Sequence, residues 1–119
     1  MMTCEIETKH AKLLIEILQQ SNHWTLQPEK KAPFSSKDAA YQYLETHNEP
    51  LYIRVPITNS DNETYIRVSS SGDDLELQTV GFTNVQKTKL HHSHLKLIES
   101  TITEMVNAQL PAGEKAASF

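Results

Sequence analysis

The sequence predicts an α+β fold: a three-stranded antiparallel β-meander with helices packed on one face, in the order α-α-β-β-β-α. Three observations predict it. Apolar residues recur at helical spacing near both ends of the chain, and they recur at every second position from 51 to 79. Between the alternating runs lie "TNSDN" and "SSSGDD", rich in the residues that turns require.

The first element spans 4–21, "CEIETKHAKLLIEILQQS", where Ile6, His10, Leu13, Leu14, Ile17 and Leu18 form one helical stripe. Glu5 and Glu7 fall in its first turn, where the helix dipole favours negative charge. The connector 22–33 is long for a loop in a compact domain, so part of it is expected to be ordered. Trp24 and Leu26 alternate there with Thr25 and Gln27, which suits a short strand or a hydrophobic anchor. A second helix is predicted over 36–47. Ser35 followed by Asp38 is a helix-start pattern, and Phe34 is placed to staple back near Ala39. Pro50 ends that helix by restricting the residue before it to extended geometry.

From residue 51 the period becomes two. Leu51, Ile53, Val55 and Ile57 share one face of "LYIRVPI" against Tyr52, Arg54 and Pro56. "ETYIRVS" sets Thr64, Ile66 and Val68 against Glu63, Tyr65 and Arg67, and "DLELQTV" places Leu75, Leu77 and Thr79 inward. Helices are expected over Leu51, Ile53, Val55, Ile66, Val68, Leu75 and Leu77. Pairing Val55 with Ile66 keeps the apolar sides together and sets Arg54 opposite Arg67, two like charges that repel across a ladder. The same rule in the second hairpin pairs Val68 with Leu75 and brings Glu76 opposite Arg67, so that one acid serves two arginines. Pro56 confines the first strand to an edge, which leaves the third as the more open edge. Residues 84–109 read as one long helix with Ile98, Ile102 and Met105 central to its apolar stripe, ended by Leu110-Pro111. Residues 1–110 are read as a single domain and 111–119 as a flexible tail without periodicity.

The chain has 119 residues, 38% of them hydrophobic and 22% charged, as in ordinary globular proteins. Its longest apolar run is short of the ~20 residues a membrane span needs, and "MMTCEIETKH" lacks a secretory layout. A cytoplasmic protein is expected, and the one cysteine, Cys4, cannot form an internal disulfide. Cys4 near a frayed helix start is read as free and inert. The formal net charge of −4 provides no global field for a polyanion.

Three surfaces are candidates for function. The outward sheet face carries Tyr52, Arg54, Tyr65, Arg67, Glu76 and Gln78, and tyrosine with arginine is the pairing enriched at protein interfaces. An unshielded arginine couple there invites an acidic partner. His91 and His94, at i and i+3 on a helix, could share a metal ion such as zinc and so centre a metal-dependent enzyme or sensor, the alternative reading, but no glutamate completes a helical zinc-protease motif. A third ligand would come from His10, Cys4 or a carboxylate. Without one, the imidazoles cap the core edge, half wet. Lys87, Lys89 and Lys96 have no acid among them, and a basic helix head can hold phosphate, yet the negative total argues against nucleic acid. No phosphate loop, nucleophile elbow or paired-carboxylate motif points to an enzyme.

The expected function is therefore that of a non-enzymatic binding or regulatory protein with a protein partner, no cofactor, and a tendency to homodimerise because a small domain gains by covering an open sheet. In size, acidity and helix-rich α+β layout the chain is loosely similar to small bacterial secretion chaperones, immunity proteins and accessory proteins of mobile elements. No motif carries that likeness.

Overall fold

The computed structural model describes residues 5–28, 32–47 and 49–119; Cys4 lies outside them. Among the described residues the chain is α+β, with three helices and six strands in the order α1 (Thr8–Leu18), β1 (Thr25–Pro28), α2 (Lys37–Thr46), β2 (Leu51–Thr58), β3 (Glu63–Ser71), β4 (Asp74–Val80), β5 (Lys87–His91), α3 (Ile98–Asn107) and β6 (Lys115–Ala116). A 3-10 turn, His92–Leu97, joins β5 to α3. All strand pairs are antiparallel. The sheet runs β1-β2-β3-β4-β5, with β6 also on β2.

The alternation places the core as predicted. Leu51, Ile53, Val55, Ile66, Val68, Leu75 and Leu77 each have 0% exposure. The buried sides of α1 and α3 cover this inner face with Leu14, Ile15, Ile98 and Ile102. The α1 stripe is turned by about one residue from the predicted one. Ala11 and Ile15 are buried where Leu13 and Ile17 were expected, and Leu13 is 41% exposed. Two adjacent leucines followed by Ile15 admit either phase from periodicity, and packing on the sheet selects one. In α2 the hydroxyl that accepts from Ala39 N, at 3.1 Å, is that of Ser36 rather than Ser35. Phe34 packs back onto the helix not near Ala39 but a turn further on, its ring 5.5 Å from that of Tyr43.

The predicted three-stranded meander is the centre of a wider sheet. The connector strand, β1, pairs with β2 from Thr25↔Arg54 to Pro28↔Leu51. The helix predicted over 84–109 starts only at Ile98, because Lys87-Thr88-Lys89-Leu90-His91 satisfies a period of two and joins β4 as β5. The third predicted strand is thus interior, and its supposed free edge is covered. Pro56 does not make β2 an edge either. It falls between the stretch paired with β1, which reaches Arg54, and the stretch paired with β6, which begins at Ile57. In that gap no amide donor is required, and the Pro56 carbonyl accepts from Ala117 N at 2.8 Å.

Register also differs from the prediction, by two residues in each hairpin. Ile53 faces Ile66 and Val55 faces Thr64; Val68 faces Leu77 and Ile66 faces Thr79. A shift of two keeps every side chain on its predicted side, so hydrophobic pattern alone cannot distinguish the two alignments. The turns do. Gly72 and Asp73 form a two-residue loop between paired Ser71 and Asp74, with Gly72 at φ +63°, a conformation glycine adopts without a Cβ clash. The first hairpin closes with Ile57 N donating to Asn62 O at 3.1 Å and with Asn59 at φ +61°.

The stretch after 110 is bonded into the fold. Beyond β6, Phe119 packs edge-on against Trp24 with ring centroids 5.3 Å apart, and Trp24 Nε1 donates to Ala117 O at 2.9 Å. Ser21 Oγ, Asn22 N and His23 N all donate to Phe119 O.

The helix phase generates a test. Leu14→Ala should cost about 2–5 kcal/mol in urea unfolding, as for other buried leucines, while Leu13→Ala should stay within about 0.5 kcal/mol. Equal losses would contradict the observed rotation of α1.

Candidate functional site

The helices occupy one side of the sheet, so the other side is a floor of alternating side chains. Cross-strand rows run over it, among them Gln27-Tyr52-Arg67-Gln78-Lys87, Thr25-Arg54-Tyr65-Val80, Ser69-Glu76-Lys89 and Ser71-Asp74-His91. The six predicted face residues, Tyr52, Arg54, Tyr65, Arg67, Glu76 and Gln78, all lie on this floor and all are half-buried. They are brought together, but not as expected. Arg54 faces Tyr65 and Arg67 faces Tyr52, giving a crossed square of two tyrosines and two arginines in place of an arginine couple. Glu76 faces Ser69 and Lys89 and does not serve both arginines.

Each guanidinium instead has its own carboxylate. Arg54 Nε donates to Glu63 Oε1 at 2.7 Å, and the Tyr65 hydroxyl donates to Glu63 Oε2. The Tyr65 hydroxyl and then the Arg54 charge hold the Glu63 carboxyl below its usual range, and the same bond raises the Tyr65 phenol. Arg67 Nη2 donates to Glu5 Oε1 at 2.9 Å. The expected unshielded arginine pair is therefore absent, and an incoming carboxylate must compete with Glu63 or Glu5. What the face offers a partner first is tyrosine surface and a rigid set of charged hydrogen-bonding groups.

Glu5 is held in place by the end of β3. Ser70 N donates to Glu5 O at 2.7 Å, and the Ser70 hydroxyl accepts from Glu7 N at 2.8 Å. On the inner side the same hydroxyl lies 2.7 Å from His10 Nδ1. His10 is fully buried, and among the described residues its Nε2 has no hydrogen-bond partner. Its ring stacks on His92 with centroids 5.9 Å apart, and His91 lies 4.4 Å from His92 and 6.0 Å from His94.

This corrects the histidine reading. There is no helical i, i+3 pair: His91 ends β5 and His94 belongs to the 3-10 turn, both exposed, while the histidine facing His10 is His92. Among the described residues no three His, Cys, Asp or Glu side chains are placed to hold a metal ion. The basic helix head is likewise missing, since Lys87 and Lys89 stand on β5 and Lys96 in the turn. A cleft lined by Ile15, Leu18, Trp24, Leu26, Phe34 and Ala40 has a volume of about 160 Å³, and a wider surface cleft lined by Thr8, Lys12, Tyr41, Leu44 and Glu45 has about 480 Å³; neither includes a predicted site residue. Among the described residues no helix is long and apolar enough to cross a membrane.

Sequence reasoning passed over Glu5 and Glu63 as partners of the arginines, and over Ser70. Glu63 was legible, standing two residues from Tyr65 on the same side of β3. Glu5 was not, because its contact with Arg67 spans 62 positions of chain. Comparison with protein-family models, with curated proteins and with solved structures finds no match.

His10 makes stability depend on pH. Burial keeps its imidazole neutral below the ordinary value of 6.5; Lys9 and His92 act in the same direction, and Glu7 and Asp73 oppose it. The unfolded chain then takes the proton first, so this stability is present above pH 6.5 and is lost as pH falls from there. Melting temperature should drop between pH 7 and pH 5, and His10→Gln should flatten the drop. An identical slope in both proteins would rule His10 out as its source.

Proposed function

We infer that this chain is a small non-enzymatic binding module that engages a protein partner on the outer face of its sheet. The observation that carries the reading is the placement of Tyr52, Arg54, Tyr65 and Arg67 as one contiguous square on the side away from the helices. Tyrosine and arginine supply most of the energy where proteins bind proteins, because each joins a broad apolar surface to directional hydrogen bonds. Here Glu63 and Glu5 hold the guanidinium groups in fixed positions, so little side-chain entropy remains to be lost on docking. A five-stranded floor gives that square a rigid base.

Affinity capture from the native host tests the reading when run with Tyr65→Ala, with Arg54→Glu and with Glu104→Lys on exposed α3 as a control for charge. Binding of the captured protein should weaken by at least about 1 kcal/mol in the two face variants and remain unchanged in the α3 control. A partner retained equally by all three variants would remove the sheet face from consideration.

A further inference from the structure

β5 is a sheet edge that no described strand covers. Its hydrogen-bonding phase follows from the bonds at either end of its ladder. Thr79 N donates to Gln86 O at 3.0 Å and His92 N donates to Asp73 O at 3.2 Å. In an antiparallel pair such bonded positions recur at every second residue, so 86, 88, 90 and 92 face β4. Lys87, Lys89 and His91 therefore turn their backbone amides and carbonyls outward, away from the sheet. The opposite edge is less open: β1 ends in Pro28, and its Leu26 carbonyl already accepts from Phe34 N at 3.1 Å.

The side chains on this edge are sorted by charge and polarity. Lys87, Lys89 and His91 stand on the outer face with exposed side chains, continuing the Tyr/Arg floor. Lys89 has Glu76 and His91 has Asp74 across from it on β4, whereas Lys87 faces the neutral Gln78 and is the cation of this edge with no acid opposite it. Two of the exposed large apolar residues, Val85 at 58% and Leu97 at 48%, flank β5 in the chain. Lysine at an edge discourages pairing with a like edge, and here that applies to a second copy of the chain. Antiparallel self-pairing of β5 centred on Lys87, Thr88 or Lys89 sets lysine opposite lysine, which is unfavourable. The same charges favour a strand that is acidic.

We propose that β5 accepts an extended segment of a partner protein as an added strand, with acidic side chains at alternate positions over Lys87 and Lys89 and apolar ones on the opposite side. Backbone bonds to Lys87, Lys89 and His91 supply the affinity, and the alternation supplies the selectivity. This rests on the binding-module reading above and identifies the conformation and chemistry of what is bound.

The test uses the full chain and three blocked peptides: one alternating glutamate and valine, one alternating lysine and valine, and one alternating glutamate and proline, which keeps the charge but cannot pair as a strand. Binding of the first peptide should slow amide hydrogen exchange at Lys87, Lys89 and His91, and the other two should have no such effect. Replacing Lys87 and Lys89 together by glutamate should weaken binding roughly tenfold while Thr88 and Leu90 stay protected, showing an intact β4-β5 ladder. Equal binding of the proline peptide, or exchange unchanged along β5, would overturn the proposal. Self-association that slows the same amides without peptide would overturn it in favour of a second copy. The two readings separate cleanly: binding lost in Tyr65→Ala with β5 exchange unaffected keeps the face and removes strand addition, whereas slowed β5 exchange in Tyr65→Ala keeps the edge and removes the face.

Discussion

Burial of one side of a β-sheet is the constraint on which the rest of this structure depends. Seven inward aliphatic residues of β2, β3 and β4 have no exposure, and each side chain so buried contributes roughly 1.5–3 kcal/mol. Because successive strand residues point to opposite sides, committing Ile53, Ile66 and Leu77 inward commits Tyr52, Arg67 and Gln78 outward. α1 and α3 are then required on the inner side, and the outer side is left to polar and aromatic groups. The candidate surface follows directly from where the core lies.

A second connection joins the two sides. Ser70 is bonded to Glu5 and Glu7 and lies against the buried His10, while Glu5 reaches over to Arg67 on the outer face. The segment before α1 thereby ties a neutral imidazole in the core to a guanidinium on the binding surface. Its cohesion comes from a few directional bonds, which are costly to leave unmade once buried. The C-terminal stretch is held in a comparable manner, with Trp24 and Phe119 packed together and β6 completing the β2 ladder beside Pro56.

Much of the fold was legible where one physical signal dominates. Period-two alternation located β2, β3 and β4 and assigned the seven aliphatic residues that are fully buried there. The strand β5 was misread because "KTKLHHSHLKLI" runs on into a genuine helical stripe, and Lys, Leu and His are as acceptable in a helix as in a strand. Pairing with β4 decides its state. The site was legible as a set of residues and illegible as an arrangement. Tyr52, Arg54, Tyr65 and Arg67 share a face in any even register, but only the two-residue Gly72-Asp73 turn and the bond closing the first hairpin determine who stands opposite whom.

By itself, the sequence determined the fold class, the inward and outward sides of the central strands, and the start of α2 to within a residue, because these depend on side-chain polarity and spacing along the chain. Tertiary structure alone decided the width of the sheet, which edge stays open, the pairing of Arg67 with Glu5 and the burial of His10 beside His92. Those outcomes rest on contacts between residues tens of positions apart, whose energies appear only once the chain has brought them together.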